Sequence, residues 1–131
     1  MTKQELSQHY YLSNEIKRDE ERLAQLEMEA RSIQSSLQGL RRGSGLSDKV
    51  GRIAAEIADI EAIINLNIQK RWREQRRITR YINSIEDSLM RQILTLRYVD
   101  NLSWNRVAQA IGGNNTADSI RMLHNRFLGG D

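Results

Sequence analysis

The chain contains no cysteine and no proline, and aromatic residues make up only 5% of it. Without cysteine there can be no disulfide and no thiolate metal site, which fits a reducing compartment. Without proline the commonest helix breaker is missing, so long helices meet no local veto. With a hydrophobic fraction of 39% there is little material for a broad core. A helix pair tolerates that, because it buries only a narrow stripe. No window approaches the ~18 apolar residues of a membrane span. The first residues lack the apolar run of a signal peptide, so a soluble, cytoplasmic protein is expected, without membrane contact. Histidine is scarce as well, with two copies far apart. There is no phosphate loop and no convergent set of carboxylates. No reaction class follows, and an enzyme, a cofactor and a metal site are all unexpected.

What is present is helix chemistry: Leu, Ile, Ala, Glu, Gln and Arg dominate. The 131 residues suit one compact domain, or a small domain with an appendage. Net charge is +3 over the chain, but the segment 68–80, IQKRWREQRRITR, alone holds six basic residues against one acid. Elsewhere the charges balance or lean acidic, so the positive charge sits in one short stretch.

From Leu12 the apolar positions run Ile16, Leu23, Leu26, Ala30, Ile33, Leu37 and Leu40. The gaps alternate threes and fours with one miss at Asp19, a heptad seam that His9 extends by one step. The glycine-rich stretch 39–51 is expected to break the helix, with Ser47-Asp48 as the next N-cap. Its Gly-x-Gly at 43–45 reads as linker. The seam resumes at Val50, Ile53, Ile57, Ile60 and Ile64. Two matched seams joined by a short loop predict an antiparallel helical hairpin, with a homodimer completing the burial. Further on, Ile68, Trp72, Ile78 and Ile82 are expected on one arc. Lys70, Arg73, Arg76, Arg77 and Arg80 fall on another, either a solvated face or a phosphate-contacting ridge, and only Arg71 falls among the apolar positions. Tyr10, Tyr11 and Tyr81 are expected to pack in the hairpin with wet hydroxyls.

Ser84-Ile85-Glu86-Asp87 has the form of a helix start, predicting a helix to about Tyr98 with Leu89, Ile93 and Leu96 inward. Val99 to Leu102 is turn chemistry, and Ser103 should cap a helix over 104–111. Gly112-Gly113 supplies positive φ angles, Thr116 caps a last helix to about Leu128, and Gly129-Gly130 ends it. Three short helices with a glycine turn before the last form a helix-turn-helix arrangement. Val107, Ala108, Ile111, Ala117, Ile120, Leu123, His124 and Phe127 are expected inward, and Trp104 is expected to close the core, with stacking on a sugar or a partner as the alternative. The opposite face of the last helix can read base edges through Asn114, Asn115, Thr116, Ser119, Arg121, Met122 and Asn125, where Arg suits guanine and Asn suits adenine. Asp118 is a cost near DNA unless it accepts from cytosine or orients Arg121 on the same face. Arg73, Arg76, Arg77, Arg80, Ser103, Arg106 and Arg126 are the candidates for DNA backbone contact.

The 39 residues MRQILTLRYVDNLSWNRVAQAIGGNNTADSIRMLHNRFL resemble region 4 of bacterial sigma factors. The features that match are Arg91 and Ile93, Leu96-Arg97-Tyr98, Leu102-Ser103, Val107-Ala108 and Ile111-Gly112. The order of hairpin and module also resembles small phage-encoded regulators of late transcription. That resemblance implies binding of double-stranded DNA and raises contact with RNA polymerase. Two features depart from it: the turn reads Gly112-Gly113-Asn114-Asn115-Thr116, where the sigma pattern has one glycine and a hydroxyl residue, and the last helix is richer in Asn and Ser than in Arg. Nothing resembles the promoter-melting region, so an activator or repressor is expected rather than a complete sigma factor. The full expectation is an all-α chain. Residues 1–83 form a coiled-coil-like oligomerisation hairpin, and residues 84–131 form a helix-turn-helix DNA-binding module. A small terminase-like packaging subunit and an interaction module that never binds DNA are the alternatives.

Overall fold

The computed structural model describes residues 1–37 and 46–129, so the expectations at Leu40, over 39–45 and at Gly130 lie outside the described residues. The regular structure is helical, with no strand among the described residues. The elements are α1 (Lys3–Leu6), α2 (Gln8–Leu37), α3 (Leu46–Asn83), α4 (Ser88–Leu94), a π-helical turn (Thr95–Val99), α5 (Trp104–Ile111) and α6 (Ala117–Phe127). None of these helices is long and apolar enough to cross a membrane.

The packing divides into two units, one between Asn14 and Gln69 and one formed by residues 1–13 with the chain from Lys70 onward. In the first, Leu26, Ile33 and Ile53 are buried together, with Ala30, Val50, Ile57 and Ile60 packed around them. These are positions of the expected heptad seam. Arg22 of α2 reaches Glu56 of α3 at 3.6 Å, an exposed pair worth ~0–1 kcal/mol at most. The N-terminal end of α3 departs from expectation. The helix already begins at Leu46, so Ser47 and Asp48 lie in its first turn rather than capping it, and Gly51 is helical rather than linker. Asp48 is still well placed there, since a carboxylate in the first turn faces the positive end of the helix dipole.

The second unit has the larger core. Leu6, Ile78, Ile93, Val107 and Ile120 are fully buried in it, joined by Ile82, Ile85, Met90, Leu94, Tyr98 and Ala108. The residues from Ser84 onward therefore share their core with the C-terminal end of α3 and with α1. Helix α1 is short and depends on its cap: the Glu5 amide donates to Thr2 Oγ1 at 3.1 Å and the Thr2 amide to Glu5 Oε2 at 3.4 Å. That capping box turns Leu6 into the core.

Ser84 is not the expected helix start. Its hydroxyl and its amide both donate to the Tyr81 carbonyl, at 2.6 and 3.1 Å, and so close α3. The N-cap is Asp87, which accepts from the Leu89 amide. Arg91 then donates to the carbonyls of Ile85 and Glu86 at 2.6 and 2.8 Å, tying down the connection. The helix predicted to Tyr98 changes character after Leu94. A five-residue hydrogen bond from the Asp100 amide to the Thr95 carbonyl marks the wider π turn, and Asn101 at φ 57° ends it.

The expected apolar arc on α3 also needs correction. Ile78 and Ile82 are buried, but Trp72 is 54% exposed. The inward row continues the heptad instead, through buried Asn67 and half-buried Arg71 and Glu74, and Glu74 Oε2 is buried without a hydrogen-bond partner. Long polar side chains can extend an inward face by covering it with their stems, so apolar residues alone misplace it. Phe127, expected inward, is 42% exposed at the last turn of α6. Tyr10 and Tyr11 are exposed and meet each other edge to face at 5.6 Å, so neither packs as expected, whereas Tyr81 does lie against the core.

Candidate nucleic-acid interface

Helices α5 and α6 are short, and local chemistry defines both ends of the connection between them. Ser103 caps α5, its hydroxyl accepting from the Arg106 amide at 3.3 Å. After Ile111 the backbone passes through Gly112 at φ 78° and Gly113 at φ 68°, a region where a side chain would strain the chain. The Asn115 side chain donates back to the Gly112 carbonyl at 2.9 Å, bracing the turn. Thr116 then starts α6 with a reciprocal pair: the Ser119 amide donates to Thr116 Oγ1 at 3.1 Å and the Thr116 amide to Ser119 Oγ at 2.9 Å. Val107 and Ala108 of α5 and Ile120 and His124 of α6 are the buried residues that hold the pair together.

At about 100° per residue, the exposed positions Asp118, Arg121, Met122 and Arg126 fall on one side of α6, opposite Ile120 and His124. Asn114 and Asn115 are exposed just before it. Met122 is 60% exposed on the same side. Arg121 is paired with Asp118 at 3.1 Å, so the acid does orient the guanidinium along the helix face.

Not every predicted base reader is equally available. The hydroxyls of Thr116 and Ser119 are engaged in the cap, Ser119 is half-buried, and the Asn115 amide is tethered to the turn. Asn125 is half-buried and its Oδ1 lies 2.9 Å from His124 Nδ1. The ring of His124 is fully buried, and its Nε2 faces the Tyr98 hydroxyl at 2.5 Å. Since Asn125 Oδ1 can only accept, Nδ1 carries the proton and Nε2 accepts from Tyr98. Burial lowers the His124 pKa below its ordinary 6.5, partly offset by the bond to Asn125, and the charges of Lys3 and Arg97 lower it further. Burial likewise pushes the Tyr98 hydroxyl up to about 12, with Arg97 opposing. Both groups are therefore neutral near pH 7, as the two hydrogen bonds require. Trp104 closes the same cluster, edge-on to His124 at 4.7 Å and under the Arg97 guanidinium at 4.5 Å. The sequence reading placed His124 in the core but missed its hold on Asn125, because an adjacent His-Asn pair carries no periodic signature.

The candidate backbone contacts are all on the surface. Arg73, Arg76, Arg77 and Arg80 are exposed on α3, Ser103 and Arg106 at the start of α5, and Arg126 late in α6. Arg77 shares its charge with Glu74 at 3.5 Å, which moderates that end of the stripe. Arg76 and Arg80 flank a shallow groove beside exposed Trp72. Among the described residues no group of three or more His, Cys, Asp or Glu is placed to hold a metal ion.

No protein-family model, no curated protein and no solved structure matches this chain. The functional reading therefore rests on the residues and their geometry.

Proposed function

We propose that the chain is a sequence-specific DNA-binding regulator of transcription. It would be of the phage-type that its sequence resembles, with α5 and α6 as a helix-turn-helix pair and α6 entering the major groove. The observation that carries this reading is the construction of α6. A capped helix is braced on α5 by Val107, Ala108 and Ile120, and turns Arg121, Met122 and Arg126 to solvent, with Asn114 exposed in the turn before it. Arg and Asn on such a face match the hydrogen-bonding edges of guanine and adenine, and the methionine suits thymine methyls. Positive charge on α3 and at Arg106 supplies the sequence-independent part of the affinity. In this proposal α2 and α3 form the antiparallel hairpin, supported by the Arg22–Glu56 pair and the shared core of Leu26, Ile33 and Ile53. A second copy would pack on that hairpin and set the spacing of two half-sites, at one helical turn of ~34 Å or a multiple.

Retention of fragments of the cognate genome by the purified protein at near-physiological salt tests this directly. Enrichment of a site upstream of a gene block is expected, and it should be lost in the Arg121→Ala/Met122→Ala variant, both positions being exposed on α6, while bulk DNA binding persists. Enrichment beside packaging genes by a ring-sized particle would favour a terminase role instead. Unchanged enrichment in the variant would remove base reading from α6. Contact with RNA polymerase is a separate question, answered by co-purification with and without the enriched site.

A further inference from the structure

The basic stretch of α3 carries an aromatic ring that contact with duplex phosphates leaves unused. Trp72 is 54% exposed, and among the described residues no other ring and no guanidinium stacks on it. It opens onto a shallow groove of about 210 Å³ whose other walls are Gln75, Arg76, Thr79 and Arg80. Arg76 and Arg80 follow Trp72 at intervals of four residues, so the three lie on successive turns, about 6 Å apart along the axis. At 3.6 residues per turn Arg73 falls beside Arg80, and all four side chains start within an arc of ~100°. The ion pairs among the described residues leave Arg73, Arg76 and Arg80 without a carboxylate, and only Arg77 of this row has one, Glu74 at 3.5 Å. The row is an uncompensated polycation with a flat apolar plate at its head.

The charge calls for a polyanion, and the indole decides which one. In a duplex the bases are stacked on one another and offer only their edges in the grooves, so an indole outside has no ring to meet. In a single strand each base has a free face, and stacking on an aromatic side chain serves any base. An acidic segment of a protein would match the charge. Its apolar anchor, however, would need a well-packed concave pocket, and this groove is shallow. We propose that this face of α3 binds single-stranded nucleic acid, DNA or RNA. One base would lie on Trp72, and the phosphates that follow it would be held by Arg76 and Arg80. This contact lies on α3 and borrows nothing from base reading by α6.

Fluorescence anisotropy of a labelled oligothymidylate of about 12 nucleotides, titrated with the full-length chain, reads this contact. An oligouridylate and a mixed-sequence duplex of equal length are the companion probes. The parent should bind one or both single strands saturably, with quenching of indole fluorescence, and the tighter of the two names the strand. Trp72→Ala, at an exposed position, should melt like the parent, weaken single-strand binding by about tenfold or more, and leave the duplex unchanged. Trp72→Phe keeps a ring and should recover part of that loss. It should also abolish the quenching, because the remaining indole, Trp104, packs in the core against His124. Arg76→Gln/Arg80→Gln should lower the single-strand salt slope by about 1.4, at ~0.7 for each phosphate contact. Absence of single-strand binding, or quenching that survives in Trp72→Phe, overturns the proposal. So does a Trp72→Ala loss that is equal on the duplex. Displacement by polyglutamate as effective as by unlabelled oligothymidylate also overturns it, and would make the face a protein-docking surface. The genome-retention experiment uses duplex fragments and α6 variants, so it can fail or succeed independently of all of these outcomes.

Discussion

Removing the Tyr98 hydroxyl should unsettle the packing of α4, α5 and α6 from within. In the Tyr98→Phe variant the ring still fills its place, but His124 Nε2 is left as a fully buried acceptor without a donor. Such a group costs ~1–3 kcal/mol. For a chain of this size that corresponds to a fall in Tm of about 3–12 °C. Replacing both partners, Tyr98→Phe with His124→Leu, should cost less than the sum of the single changes, because the pair vanishes together. Protonation attacks the same bond. The folded-state pKa of His124 lies below its ordinary 6.5, so the folded protein binds fewer protons than the unfolded chain in the window between those two values. Its contribution is complete above pH 6.5. It declines as the pH drops through that window, by up to ~1.4 kcal/mol per pH unit. Urea unfolding followed by circular dichroism from pH 7.5 downward reads both effects. A Tyr98→Phe protein that melts within about 1 °C of the parent, or an acid limb that persists unchanged in His124→Leu, would refute the reasoning.

Thr116→Ala should lose the cap of α6 and cost ~1 kcal/mol, seen as a lower urea midpoint with little change in slope. Gly51→Ala should do the opposite. The position is helical with open space around a built Cβ, so a gain of ~0.5–1 kcal/mol is expected, and a loss would mean that this face is covered in solution. If the stripe on α3 touches phosphates, Arg73→Ala/Arg77→Ala should weaken all DNA about equally and reduce the salt slope by up to ~2, measured by fluorescence anisotropy. An unchanged slope would leave those residues as a solvated helix face.

The legible parts of this fold were those that a few neighbouring residues decide. Ser103, Thr116 and the Gly112-Gly113 turn all sit where capping and φ preferences place them, because each depends on hydrogen bonds within three residues. The same locality explains the error at Ser84. The start signal at Ser84 fails because Ser84 is spent closing α3, and Asp87 caps the next helix instead. The inward face of α3 was legible only where it is apolar. Through Asn67, Arg71 and Glu74 it is polar; the spacing does place Arg71 among the apolar positions, but it adds exposed Trp72 and passes over Asn67 and Glu74. Helix α1 is too short for any periodicity, so Leu6 could not be recognised as a core residue. Of the candidate interface, the exposed row on α6 was legible from spacing. Which of its side chains are already engaged, as Ser119 and Asn125 are, depends on partners that spacing does not encode.

The burial of Leu6 among residues that come after Lys70 carries a consequence for how the protein reaches its native state. A core assembled from both the beginning and the later part of the chain has contacts of long sequence separation, which slow folding. During synthesis Leu6 emerges early and must wait for Ile78, Ile93 and Ile120 before it can be covered. Helices α2 and α3 can meanwhile form and pair around Leu26 and Ile53.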